Sequence, residues 1–356
     1  MPDPVDWNLA ERVATRIAGT DPFARSYHYD SLQPDFDELT AEAEALVAEA
    51  TGLRSLAGPA RARVVGRPDW VKANVASFQR LLRPITEKLG ERMTGAVAPI
   101  GRRFAGTEVG MMLGWMSMRV LGQYDLLVIE DERPDEQDLV YYVGTNVLAL
   151  EKRYAFAPRE FRLWLALHEV THRAQFTGVP WMREHFLGLV KSTLDAADPD
   201  PKRFLEALRR VADDVRSGRK PLDDGGLVSL LASPEQRKSI DAVGGLMSLL
   251  EGHGDVTMDR AGAARIPSAE RFSRVLRHRR ETKGVAKMMR RLIGIEAKLA
   301  QYAHGEAFIA EVERDRGRSF LDVVWHGPGP EILPSMQEIR EPQRWIARAD
   351  ALVASG

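Results

Sequence analysis

Between Leu163 and Phe176 the sequence reads LWLALHEVTHRAQF, a helical pattern that is apolar almost all round yet carries a glutamate and two histidines at its centre. Leu163, Leu165, Ala166, Leu167 and Val170 call for a buried helix. An unpartnered carboxylate buried with them costs several kcal/mol of desolvation, so the fold must supply Glu169 with a metal or a polar cleft. In a helix His168 and His172 stand one above the other on the same side. Both imidazoles can then reach one ion at about 2.0–2.1 Å. Glu169 is turned by roughly 100° around the axis, where a general base can hold water without being a ligand. The alternative is a pair of core histidines hydrogen-bonded to carbonyls.

The sequence contains no cysteine, which rules out thiolate ligands, disulfides and a cysteine nucleophile, and fits a cytoplasmic protein. Any metal must sit on His, Asp or Glu. A formal net charge of −1 argues against a general nucleic-acid binder. The N-terminal residues lack the basic-then-apolar order of a secretory signal. The most apolar long stretch, 106–122, is interrupted by Glu108 and Arg119 and reads as a buried helix, not a transmembrane span. Its Gly106, Gly110 and Gly114 would let another helix approach closely.

Helical patterns dominate a chain of 356 residues with 44% hydrophobic side chains. DLLVIE (125–130) and LVYYVGTNVLALEKRY (139–154) read instead as one or two strands around an acidic turn at 130–138. Pro158 opens the histidine helix, and Gly178 and Pro180 stop it. Further helices are expected at roughly 202–216, 234–250, 268–300 and 306–316. The expected fold class is α+β, mostly helical, with a small sheet next to the histidine helix. The chain is expected to divide into a helical N-terminal region 1–120 packed on the core and a catalytic region 121–356 with C-terminal helices, or to form one compact unit.

Zinc hydrolases add a third protein ligand to such a pair and keep one position for water, with one zinc per chain. Glu251 is the best candidate, with Asp255 one turn further on to accept an Nδ1–H from a ligating histidine. His253 is the alternative third ligand, or a donor to the oxyanion of an intermediate. Gly252 and Gly254 could break the helix that this spacing assumes.

HExxH followed by E-x-x-x-D is similar to the thermolysin-like gluzincins, although Glu251 follows His172 by 79 residues where that type has a short interval. More closely, the chain resembles a family of mainly actinobacterial zincin-like metallopeptidases, often labelled coenzyme F420 biosynthesis-associated. The resemblance rests on HEVTHRAQF (168–176), LLEGHGDVTMD (249–259), RRLIGIEAKLAQYAHGEAF (290–308) and ILPSMQEI (332–339). It implies a zincin-like fold and a zinc site. Zincins carry an edge strand beside the active-site helix to which an extended peptide can add. Residues 141–150 would be that strand here, with Asn146 either a substrate contact or a turn former.

Among the remaining residues, Gln175 is a plausible donor behind the histidines, and Arg173 is expected to face solvent or the acidic turn. Tyr302 could hydrogen-bond a tetrahedral intermediate and Lys298 hold a substrate carboxylate, with Gly305 as a helix cap; a plain amphipathic helix explains the same pattern. The basic stretch 265–291 is either a solvated face or a surface for an acidic partner. The expected activity is metallopeptidase hydrolysis of a peptide or protein, with Glu169 as base and His253 or Tyr302 aiding the oxyanion. Hydrolysis of a small amide, or a silent zincin scaffold that binds a partner, are the alternatives.

Overall fold

The structure, a computed structural model, describes residues 3–20, 23, 25–83, 86–87, 90, 98–126, 138–195, 234–280, 295–327 and 329–355. The helix expected near 202–216, most of the acidic turn and the basic stretch beyond Arg280 lie outside them.

The described elements run α1 (Trp7–Ala18), α2 (Tyr27–Asp30), α3 (Leu32–Thr51), β1 (Arg61–Val65), α4 (Arg67–Leu81), α5 (Ala98–Ser117), β2 (Gly122–Tyr124) and β3 (Leu139–Val143). They continue with α6 (Gly144–Tyr154), α7 (Pro158–Thr177), α8 (Met182–Asp195), α9 (Pro234–Gly262), α10 (Ala269–Arg280) and α11 (Ile295–Arg316). Two short helices and a longer one close the chain: α12 (Val323–His326), α13 (Met336–Arg340) and α14 (Pro342–Ser355). The class is α+β and mostly helical, as expected. Two compact units divide it, residues 1–180 with 257–272, and residues 181–256 with 273–356. The expected boundary near residue 120 separates α5 from β2 inside the first unit.

In the first unit the sheet has the order β1-β3-β2, with β1 parallel and β2 antiparallel to β3. This corrects the reading of 141–150 as an edge strand. Only Leu139–Val143 is strand, it is the middle one, and Gly144 begins a helix. Nearly every residue from 139 to 151 is buried, so neither a two-residue nor a 3.6-residue rhythm marks the change. Of the other expected strand, 125–130, only residues 125 and 126 are described, and they follow directly on a three-residue strand at Gly122–Tyr124.

The glycine stripe does what its spacing suggested. A Cβ at Gly110 would lie 2.6 Å from the Ala10 carbonyl oxygen, and one at Gly114 2.8 Å from that of Ala14, so α5 lies directly on the backbone of α1. Behind that contact Trp7, Trp70, Val71, Leu113, Leu139 and Val143 belong to one buried cluster.

In the second unit, glycines again set the packing. Gly252 meets Gly305, and Gly305 in turn meets the Ser248 carbonyl, too closely for any Cβ. Gly252, Gly254 and Gly305 all lie inside the continuous helices α9 and α11, not at breaks or caps, and at Gly252 and Gly305 the crossing leaves no room for a side chain. About two turns before Gly252, Gly245 lies under Pro334, Ser335 and Met336, so the ILPSMQEI turn seats α9. Ser335 and Glu338 form a capping box there. Burial opposes ionisation of Glu338, but hydrogen bonds from Arg348 and Ser335 hold its carboxyl below the usual range. We expect Gly305→Ala to destabilise this unit by about 1–3 kcal/mol through overpacking against backbone that cannot step aside, read from the urea midpoint.

Candidate metal centre

The histidine helix is α7, with Pro158 in its first turn and Gly178 as its C-cap. It packs on α3 and on β2. Two buried arginines eleven residues apart, 173 − 162, anchor it. Arg162 donates through Nε and Nη2 to Glu151 at 2.8 and 2.9 Å and through Nη1 to Asp35. Burial works against its charge, yet these carboxylates outweigh that and hold its pKa above the ordinary guanidinium value. Arg173 is 1% exposed and reaches Glu44 at 2.7 Å, the Gly58 carbonyl at 2.7 Å and both oxygens of Asp138. It does not face solvent; of the acidic turn it holds the final residue, which enters β3.

The helix presents His168 and His172 side by side, their Nε2 atoms 3.3 Å apart and their rings nearly perpendicular. Two nitrogens at about 2.0–2.1 Å from one zinc in tetrahedral coordination are separated by about 3.3–3.4 Å, so this spacing fits a shared ion. His172 Nδ1 lies 2.9 Å from Gln175 Oε1. A donor Nδ1–H there fixes the tautomer whose Nε2 lone pair is the ligand. Gln175, expected as a donor behind the histidines, thus accepts at His172, in the role the sequence reading gave to Asp255.

Glu251 completes a cluster with them: one ligand atom each from His168, His172 and Glu251 all lie within 4.8 Å of one another. Glu251 stands on α9, whose final turns from Thr257 onward belong to the same unit as the histidine helix. His253 does not join the cluster. Two residues on, it is turned by roughly 200° around the helix from Glu251, and its ring packs on Trp325 at 4.4 Å. Expected as the alternative third ligand or an oxyanion donor, it is not one of the three residues that lie within reach of a common ion among the described residues. Asp255 is half-buried one turn beyond Glu251.

Glu169 is buried beside the histidines, and its Oε2 accepts the backbone N–H of Tyr124 in β2 at 3.1 Å. Burial pushes up the pKa of Tyr142, against its hydrogen bond with Thr40, and the charge of Glu169 adds to that rise. The sequence offered no local signal for the strand contact.

Asn146, expected as a substrate contact or a turn former, is buried in the first turn of α6. Its amide nitrogen donates to the Ser117 and Val120 carbonyls at 2.7 Å each, and its oxygen accepts from Arg67 at 2.8 Å. Those bonds tie α6 to the end of α5. Lys298 and Tyr302 fall on α11, but their side chains lie outside the described residues. In the described part of the basic stretch, Arg265 pairs with Glu42 and Arg271 donates to the Tyr154 carbonyl.

A helix-rich α+β chain with two histidines and a glutamate on one cluster, and a second glutamate alongside, has the makings of a metal-dependent hydrolase. A model of the zincin-like metallopeptidase family matches residues 5–346, and the chain belongs to that family. It is also similar to a crystal structure from Chloroflexus aurantiacus described as a candidate hydrolase with a novel fold, at 31% identity and a TM-score of 0.72. The similarity covers 97% of this chain and 99% of that one. No curated protein matches the chain. Among the described residues, no helix is long and apolar enough to cross a membrane.

Proposed function

We propose that the protein is a zinc-dependent hydrolase of amide bonds, most simply a metallopeptidase. The observation that carries this reading is the cluster of His168, His172 and Glu251 with Glu169 beside it. His168 and His172 through Nε2, and Glu251 through a carboxylate oxygen, would hold the ion. Bound there, zinc brings the pKa of water toward neutrality and polarises a carbonyl.

The chain's own residues supply the proton transfers. The Glu169 carboxylate takes a proton from the water that attacks the scissile carbonyl carbon. It then delivers that proton to the leaving nitrogen as the C–N bond breaks, giving an acid and an amine. Gln175 keeps the His172 imidazole in the tautomer the site needs. Family membership supports a peptide substrate. Leu139–Val143 is paired on both sides, so it presents no free edge to an extended peptide.

Glu169→Gln tests the reading. The amide keeps the shape of the side chain but cannot accept the proton at neutral pH. We expect both forms, reloaded after chelation, to retain about one zinc per chain. Turnover of a mixed peptide library, followed by mass spectrometry, should fall by a factor on the order of 10² or more. Equal turnover in the two proteins excludes Glu169 as base. No cleavage by zinc-loaded wild type on any peptide leaves the small-amide or silent-scaffold alternatives.

A further inference from the structure

The strand beside the histidine helix does more than pack against it. In the antiparallel pairing of β2 with β3, the Asp125 N–H donates to Leu139 and the Val143 N–H to Leu121, so the odd-numbered positions 121 and 125 face β3. The pattern alternates, which turns the backbone N–H of Tyr124 away from β3 and toward the sheet's outer side. There it meets Glu169 Oε2 at 3.1 Å.

Gly122, the preceding residue with the same orientation, makes that meeting possible. A Cβ built on Gly122 would lie 2.7 Å from Cγ, 2.7 Å from Oε1 and 2.9 Å from Cδ of Glu169. All three atoms, the nearest to that Cβ, belong to one side chain. Gly122 has no positive φ among the described glycines, so conformational freedom does not account for it. Space for Glu169 does.

We propose that Gly122 and the Tyr124 N–H are positioning elements for Glu169: the bare Cα admits the carboxylate, and the N–H fixes where it points. The inference rests on the reading of Glu169 as the base. A charge-assisted hydrogen bond from fixed backbone is stronger than a neutral one, and restricts the carboxylate to one approach to its proton.

The test uses full-length, zinc-free protein labelled with 15N-tyrosine. Seven tyrosines give seven amide signals, and Tyr124→Phe identifies the relevant one. Glu169→Ala should speed exchange of the Tyr124 amide by about tenfold or more. Gly122→Ala should do the same while Tyr141 and Tyr142, on the neighbouring strand, stay at their wild-type rates. Glu169→Asp shortens the arm without adding an atom to the strand and should match it. After zinc loading, Gly122→Ala should keep wild-type metal content and KM for the cleaved peptides while kcat falls toward that of Glu169→Gln.

Wild-type exchange at Tyr124 in Gly122→Ala overturns the proposal, and so does loosening of all three tyrosines together, which would mean packing alone. Loosening with an unchanged kcat also overturns it. If Gly122→Ala does not fold, unchanged Tyr124 exchange in Glu169→Asp has the same force. The exchange arms contain neither metal nor substrate, so they stand apart from any failure of the zinc reading.

Discussion

His172→Ala should be purified essentially free of zinc under conditions in which the wild type retains about one ion per chain. The two Nε2 atoms 3.3 Å apart are the basis for that expectation. Two neutral imidazoles that aim lone pairs at each other repel, and a proton or a cation between them removes the repulsion. Removing one ring leaves His168 and Glu251, too few protein ligands for a tight tetrahedral site. Gln175→Leu provides the graded comparison. It removes the acceptor at His172 Nδ1 without touching a ligand, and should weaken zinc binding by about 10–100-fold. Glu251→Gln should lose metal as well, whereas His253→Ala should keep it. Elemental analysis of the four variants after gel filtration reads all of this. Full zinc content in His172→Ala excludes the site.

The contrast between Glu251 and His253 shows where sequence reasoning reaches its limit. Both residues lie in one short segment, and both are ordinary zinc ligands. Which of them meets His168 and His172 depends on how α9 is rotated about its axis. That rotation is set by Gly245, Ser248 and Gly252, which face the ILPSMQEI turn and α11. Those contacts bridge 53 residues between Gly252 and Gly305, 305 − 252, and no local periodicity encodes them. The HExxH helix, by contrast, was legible from end to end. Its signals are local: a proline at the start, a glycine at the stop and one apolar run between.

The sheet was the least legible part. β1, RARVV, carries an alternating pattern too short to stand out, and its parallel partner lies more than 70 residues later in the chain. That pairing is what makes Leu139–Val143 internal. A strand covered on both sides and followed at once by a buried helix shows continuous apolar sequence, and the change from strand to helix then leaves no trace. The edge next to the histidine helix went to Gly122–Tyr124. With three residues, one of them glycine, that segment has no strand signature at all.

Arg173 was expected at the surface or near the acidic turn, and its burial leads to the largest effect on stability. Arg173→Met should destabilise the protein by about 3 kcal/mol, at the lower end of the range for breaking a buried ion pair. The guanidinium joins Glu44 on α3, the Gly58 carbonyl before β1 and Asp138 at the start of β3. The carboxylates keep part of their contact with water, Asp138 at 17% and Glu44 at 30% exposure, so they recover some solvation when the cation is gone. That is why the lower end applies. Arg173→Lys keeps the charge but cannot span three acceptors with a single ammonium, so it should fall between the two. Added salt should change little, because the cation itself is buried. Asp138 also adopts a positive φ of 54°, a conformation that few residues other than glycine hold unaided. Its bonds to Arg173 hold it there. Urea unfolding of the variants in low and high salt distinguishes this clamp from a surface pair, which would cost less than about 1 kcal/mol and weaken as salt is added. If Arg173→Met unfolds at the wild-type midpoint, the clamp contributes nothing, and β3 is placed by sheet pairing and core packing alone.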